Sequence, residues 1–218
     1  MDAYTLVIGN KNYSSWSLRP WLAMKMAGQS FEEIVIPLRQ QASAAEIARH
    51  SPAGKVPVLH HGETTVWESI AILEYLAEAI PEARLWPEHR EARAVARAVS
   101  AEMHAGFAAL RTHMPMNIRA TKAERGRTPD VDKDIRRIVA LWEDCRARFG
   151  EGGPFLFGRF NNADAMYAPV VTRFKTYGVE LQGAARAYAD AISALPPMVE
   201  WYAAAKDEPW SIPESDAA

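Results

Sequence analysis

Over residues 1–80, short apolar runs of strand length alternate with stretches in which apolar positions recur every three or four residues. Residues 4–8 read as a strand, 16–27 as a helix stopped by Gly28, and 33–36 as a second strand. Residues 42–50 predict a short helix. Residues 56–59 and 64–67, separated by a turn around His61-Gly62-Glu63, predict an antiparallel hairpin, and 68–79 a closing helix. A strand, helix, strand unit needs a parallel right-handed crossover and a short-turn hairpin must be antiparallel, so the expected four-stranded sheet is mixed.

That order, βαβ, then α, then ββα, is the thioredoxin-like α/β arrangement, expected over 1–80. Residues 81–87, bracketed by Pro81 and Pro87, break the helical pattern and read as a linker. Beyond them strand signals stop. Ala-rich helical periodicities follow at about 88–114, 130–149, 163–177, 184–195 and 197–205, predicting an all-α domain over 88–208. Residues 119–129, rich in charge and Gly, read as a mobile connection, and 209–218 as a frayed tail. Asn161 followed three residues later by Asp164 is a capping-box-like start for a buried helix, a structural element.

Composition narrows the function classes. Lys plus Arg number 25 against 27 Asp plus Glu, a net charge of −2, so no global field favours nucleic acid or an anionic membrane. The first ten residues have no basic segment followed by a long apolar run, and no stretch of about 18 apolar residues occurs, so the expected location is the cytoplasm. Cys145 is the single cysteine, which removes intramolecular disulfides and Cys-x-x-Cys redox pairs. The six histidines contain no helix-spaced pair of the zinc-protease kind, and no metal is expected. The tryptophans lack interleaved basic residues, so packing explains them better than base stacking.

Three segments carry candidate chemistry, and each has a plain structural alternative. In Tyr13-Ser14-Ser15-Trp16-Ser17-Leu18-Arg19-Pro20, hydroxyls stand at a helix amino end, where unpaired N–H groups favour an anion; N-capping alone also explains them. In Gly54-Lys55-Val56-Pro57-Val58-Leu59, Pro57 suits either an ordinary strand start or a cis peptide that turns Val56 outward to pair with a peptide-like ligand. At Glu68-Ser69, a carboxylate and a hydroxyl opening a helix would read the ammonium and carboxylate of an α-amino acid, or merely cap the helix.

The three segments in this order resemble the cytosolic glutathione transferase family along nearly the whole chain. The Ser14-Ser15-x-Ser17-x-Arg19 pattern is most similar to its serine-type zeta class, whose members include maleylacetoacetate isomerase. The resemblance implies that Ser14 is the catalytic hydroxyl, that Val56 and cis-Pro57 clamp the cysteinyl backbone of glutathione, that Lys55 lies near its glycine end, and that Glu68 and Ser69 hold its γ-glutamyl end. It also implies Ser15 in the glutathione site and a homodimer. Trp16 stands where the zeta pattern has cysteine, and Leu18-Arg19-Pro20 replaces Trp-Arg-Val. Tyr13 is a rival donor, since other classes use tyrosine, and Ser15 and Ser17 are further alternatives. Trp16, Phe107, Arg111 and Arg173 are candidates for a second-substrate pocket between the domains, the arginines suiting an anion.

The implied reaction adds the thiol of glutathione, a co-substrate, to a small electrophile. A free cysteine thiol titrates near 8.5, so the site must lower it by about two units, roughly 2.7 kcal/mol, within reach of one charge-assisted hydrogen bond and a helix terminus. A glutathione-dependent cis-trans isomerase, a non-catalytic binding protein and a disulfide reductase are the competing readings, the last weakened by the absence of cysteine from the active loop.

Overall fold

Along β1 (Tyr4–Gly9), alternate side chains enter two different cores: Leu6 and Ile8 join one and Val7 the other. The computed structural model describes residues 3–217, so Met1, Asp2 and Ala218 lie outside the described residues. β1 is followed by α1 (Ser15–Met26), β2 (Glu32–Ile36), α2 (Ser43–His50), β3 (Val58–His61), β4 (Thr64–Trp67) and α3 (Ser69–Ala79). The sheet order is β2-β1-β3-β4, with β1 and β2 parallel and the other neighbours antiparallel, the mixed sheet expected. Opposite pairs match in burial: Leu6 faces Leu59 on one side and Val7 faces Val58 on the other. Helices α1 and α3 cover the first face with Leu18, Trp21, Leu22, Ile72, Leu73 and Leu76, while Ile47 of α2 covers the second.

A 3₁₀ turn at Pro81–Ala83 leads into α4 (Arg90–Ala105), α5 (Ala108–His113), α6 (Pro129–Phe149), α7 (Asn162–Thr176), α8 (Gly183–Ser193), α9 (Pro196–Asp207) and α10 (Pro213–Ala217). The expected helix at 88–114 is two helices. Gly106 makes the break: a Cβ there would stand 2.7 Å from the Glu102 carbonyl oxygen, and Phe107 follows in the left-handed region at φ 53° with its ring in the core. Helix α7 is buried on nearly every side. Its start is the predicted capping box: Asn161 Oδ1 accepts from the Ala163 N–H, and Asp164 Oδ2 accepts from the Asn161 N–H. Among the described residues, no helix is long and apolar enough to cross a membrane.

Two expectations of looseness fail. The segment read as a frayed tail ends in α10 and is tied down. Glu208 accepts the Lys11 and Asn12 N–H groups, Asn117 donates to Asp216, and Lys122 reaches the Ser215 and Asp216 carbonyls. The connection read as mobile carries some of those anchors, with Arg119 donating to the Glu208 and Trp210 carbonyls and the Lys122 N–H to Thr176. Polar composition suggested solvated chain, but these polar groups serve long-range hydrogen bonds instead.

Candidate active site

Helix α1 starts where Ser14 leaves helical geometry (φ −80°, ψ 84°) and its Oγ accepts from the Ser17 N–H at 3.4 Å. Ser14 Oγ is also 2.7 Å from Ser17 Oγ, which accepts from the Gly9 N–H, so the first turn is locked to β1. Ser15 is held on both sides: Arg19 Nη1 donates to its carbonyl at 2.8 Å, and Arg173 Nη2 of α7 donates to its Oγ at 3.1 Å. Pro20 has no N–H to offer the Trp16 carbonyl one turn back, and the Ser69 hydroxyl donates there instead, at 3.0 Å. The proline inside α1 thus ties its first turn to the start of α3.

Around these helix ends lies a cavity of about 240 Å³. Its first-domain wall contains Trp16, Ala53, Lys55, Val56, Pro57, Trp67, Glu68 and Ser69; His104 of α4 and Arg111 of α5 close it from the other side. The Val56–Pro57 peptide is cis, as expected. Among the described residues, the N–H and C=O of Val56 take part in none of the turn or ladder bonds. Glu68 sits at φ 67°, a left-handed conformation rare for a side chain of its kind, and caps α3 with backbone only. The first N–H groups of α3 therefore open on the cavity without a side-chain acceptor or an acidic residue in the turn.

The cavity is basic on one side and acidic only at Glu68, whose carboxylate lies 3.7 Å from His104 Nε2. Burial lowers the His104 imidazole below its usual range, against the pull of Glu68 and with help from Arg19 and Arg111, so it is neutral at pH 7. The Trp16 indole is fixed as a wall: the Arg19 guanidinium lies 4.2 Å from its ring centre, that of Arg111 5.5 Å, and His104 meets it edge-on at 5.3 Å.

Of the residues singled out in the sequence, Lys55, Val56, Pro57, Glu68, Ser69, Trp16 and Arg111 come together at this cavity. Ser14 and Ser15 lie beside it, nearly buried in the first turn of α1. Phe107 is packed in the core, and Arg173 is buried against Ser15 and the Met114 carbonyl rather than open to the cavity. Tyr13 is engaged elsewhere, its hydroxyl at 2.8 Å from Asp216 Oδ1 and 3.0 Å from Arg119 Nη2. Sequence reasoning missed Ala53 and Trp67, and it placed residues 103–116 at the second-substrate pocket without singling out His104. The cue for His104 was its place in the turn before Gly106, seven residues ahead of Arg111.

Residues 13–79 match the model of the glutathione S-transferase N-terminal domain and residues 87–204 that of its C-terminal domain. The chain belongs to the glutathione S-transferase family. Similar relatives include maleylacetoacetate isomerase from Rattus norvegicus, 28% identical over 77% of this chain and 76% of that protein. Glutathione S-transferase 1 from Dianthus caryophyllus is 35% identical, but the matched stretch spans only 38% of each chain. Among solved structures, a glutathione transferase homolog from Burkholderia with bound glutathione superposes with a TM-score of 0.70 at 22% identity, covering 95% of this chain and all (100%) of that one. At that identity the likeness speaks for the shared fold of the family.

Proposed function

We propose that the protein binds glutathione in the cavity between α1, α3 and the cis-Pro57 loop, ionises its thiol and adds it to a small electrophile. Residues 1–80 hold glutathione, and 88–208 complete the second-substrate pocket. The observation that carries this reading is the convergence of three complementary features on one tripeptide-sized space. These are the unengaged backbone of Val56, the open amino end of α3 beside Glu68, and the amino end of α1, which lines the space through Trp16 with Ser14 and Ser15 just before it in the chain. An extended peptide pairs with Val56 as an added strand would. Its α-carboxylate meets the N–H groups at Ser69 and its ammonium meets Glu68, while Lys55 neutralises the far carboxylate.

Ser14 is the hydroxyl that donates to the sulfur. Its hydrogen exchanges the Ser17 oxygen for the better acceptor, a thiolate, and the neighbouring Ser15 supplies a second hydroxyl to the glutathione site. Trp16 and Arg111 shape the electrophile side. The proton leaves to solvent; no step requires a metal.

The isomerase reading stands second. The rat relative carries that name and matches three quarters of this chain, but Trp16 in place of the zeta cysteine narrows the space beside the sulfur. We also infer a cytoplasmic homodimer, on family resemblance; light scattering at micromolar concentration separates the 24.3 kDa chain from its dimer. Ultraviolet titration of glutathione bound to the protein tests the main reading. A bound thiol that titrates below its free value is the expected result, and an unshifted one leaves only a binding module.

A further inference from the structure

Helix α7 sends a charged side chain into the interior, towards the other domain. Arg173 is 5% exposed, and its guanidinium donates to the Met114 carbonyl and to Ser15 Oγ at 3.1 Å. Arg19 is 1% exposed and donates to the carbonyls of Met166 and Ser15. Arg111 stands 5.5 Å from the centre of the Trp16 ring, which Arg19 also approaches. None of the three belongs to an ion pair among the described residues. A buried cation is normally paired with an anion, because carbonyl dipoles replace only part of its hydration. Here two of the cations, Arg19 and Arg173, and the amino end of α1 converge on Ser15 with no counter-charge, and Arg111 stands nearby at Trp16.

We propose that Arg173 is a positioning residue for the sulfur: its buried charge, coupled through the Ser15 hydroxyl, holds glutathione as the thiolate at the start of α1. The proposal rests on the glutathione reading above and deepens it. The hydrogen bonding of Ser15 gives the direction. Its Oγ already accepts from the guanidinium, and its own hydrogen has no acceptor among the described residues, so it can donate to an arriving sulfur. A hydroxyl polarised by a guanidinium is a stronger donor than an isolated one. Arg173 is not placed to clamp a substrate carboxylate in the cavity, because it is buried and absent from the cavity lining, with Nη1 and Nη2 turned to Met114 and Ser15.

The groups facing Arg173 support a net positive site. Arg19 and Arg111 add like charge, and the neighbouring phenols of Tyr167 and Tyr177 remain neutral. Burial pushes the Arg173 guanidinium down to about 10, so it is still charged at pH 7. The one carboxylate of the cavity wall, Glu68, faces His104.

The experiment compares wild type, Arg173→Lys, Arg173→Met, Ser15→Ala and Ser14→Ala by ultraviolet titration of bound glutathione. S-methylglutathione, which has no ionisable thiol, serves as the affinity control. Removing an opposite charge at this range raises a pKa by about one to three units. Arg173→Met should therefore raise the bound thiol by about one unit or more, cutting thiolate at pH 7 by about three-fold for the first unit and by up to about ten-fold for each further one. Turnover should recover as the pH rises towards 9, and S-methylglutathione affinity should hold within a few-fold. Arg173→Lys should keep most of the shift, and Ser15→Ala should lose part of it. An Arg173→Met protein that folds and holds the thiol at the wild-type pKa would reduce the arginine to a structural tie and overturn the proposal. Should Arg173→Met not fold, an unmoved thiol in Ser15→Ala overturns it equally. Failure of the glutathione reading looks different: the wild-type thiol itself would be unshifted.

Discussion

The Tyr13 hydroxyl stands 2.8 Å from Oδ1 of Asp216, 203 positions further along the chain, and 3.0 Å from the Arg119 guanidinium. The phenol donates to the carboxylate and accepts from the arginine, so its polar atom is used in closing the C-terminal strap over the loop before α1. It has neither a spare hydrogen nor a suitable direction for the sulfur site.

Tyr13→Phe should therefore leave the bound thiol pKa and kcat within about two-fold of wild type. It should lower stability by roughly 1.5–3 kcal/mol, the usual range for a lost hydrogen bond to charged partners. Steady-state kinetics and a urea midpoint measure the two effects. A large loss of turnover at unchanged stability would move the donor role from Ser14 to Tyr13.

Ser14→Ala should reduce turnover by ten-fold to a thousand-fold and leave glutathione affinity within a few-fold, because the hydroxyl acts on the developing anion more than on the bound tripeptide. The same change removes the N-cap of α1 and costs about 1 kcal/mol of stability. Ser14→Thr, which keeps a capping hydroxyl, separates the two: restored stability with turnover still low fits a site too tight for the extra methyl. Turnover unaffected by Ser14→Ala would assign the chemistry to another hydroxyl.

Much of this was legible along the chain. Strand and helix positions follow from apolar spacing, and, apart from the split of 88–114 and the unread α10, the observed elements begin or end within about two residues of those read, because the sheet alternates and most helices keep a helical apolar period. The hairpin's first strand starts at Val58 rather than residue 56, since Pro57 has no N–H for a ladder. Local motifs carried the site: Lys55-Val56-Pro57 and Glu68-Ser69 are contiguous, so their joint appearance in one cavity needs only the fold. What escaped were one local break and relationships between distant residues with no periodic signature. The break at Gly106 lies inside a stretch whose apolar spacing runs on unbroken, the strap depends on Asp216 meeting Tyr13, and Arg173 reads as a substrate ligand in a sequence where its partner, Ser15, is 158 positions away.

Asp164 gives the fold a pH dependence of unusual sign. Burial pushes its carboxyl up to about 7, even though the Leu156 and Asn161 N–H groups donate to it. An unfolded aspartate titrates near 3.9, so the folded value is the raised one. Its contribution is fully present below about pH 4 and is lost as the pH rises towards 7. Denaturation of wild type and Asp164→Asn across pH 4–8 should show wild type losing ground to the variant over that window. A constant difference would mean that Asp164 titrates as an ordinary carboxylate.

Arg111 should decide the charge of the electrophile. Its Nε is spent on the Gly106 carbonyl at 3.0 Å, which fixes the guanidinium beside Trp16, while its other nitrogens face the cavity wall with no protein partner among the described residues. Lys55 lines the first-domain wall of the same cavity, and His104 is neutral, so nothing but Glu68 opposes an incoming anion there. A hydrogen bond to a charged group is worth about 1.5–3 kcal/mol, ten-fold to a hundred-fold in rate where it forms on the way to the transition state. Arg111→Met keeps the length and apolar contact of the side chain against the indole and removes only charge and donors. For a carboxylate-bearing electrophile, kcat/KM should fall by about that ten-fold to hundred-fold, while a neutral aryl halide should change by less than three-fold and the bound thiol pKa should rise slightly. Parallel kinetics with the two electrophiles measure the split. Equal losses for both would place Arg111 with the structure of the α4–α5 corner and leave the anionic preference without support.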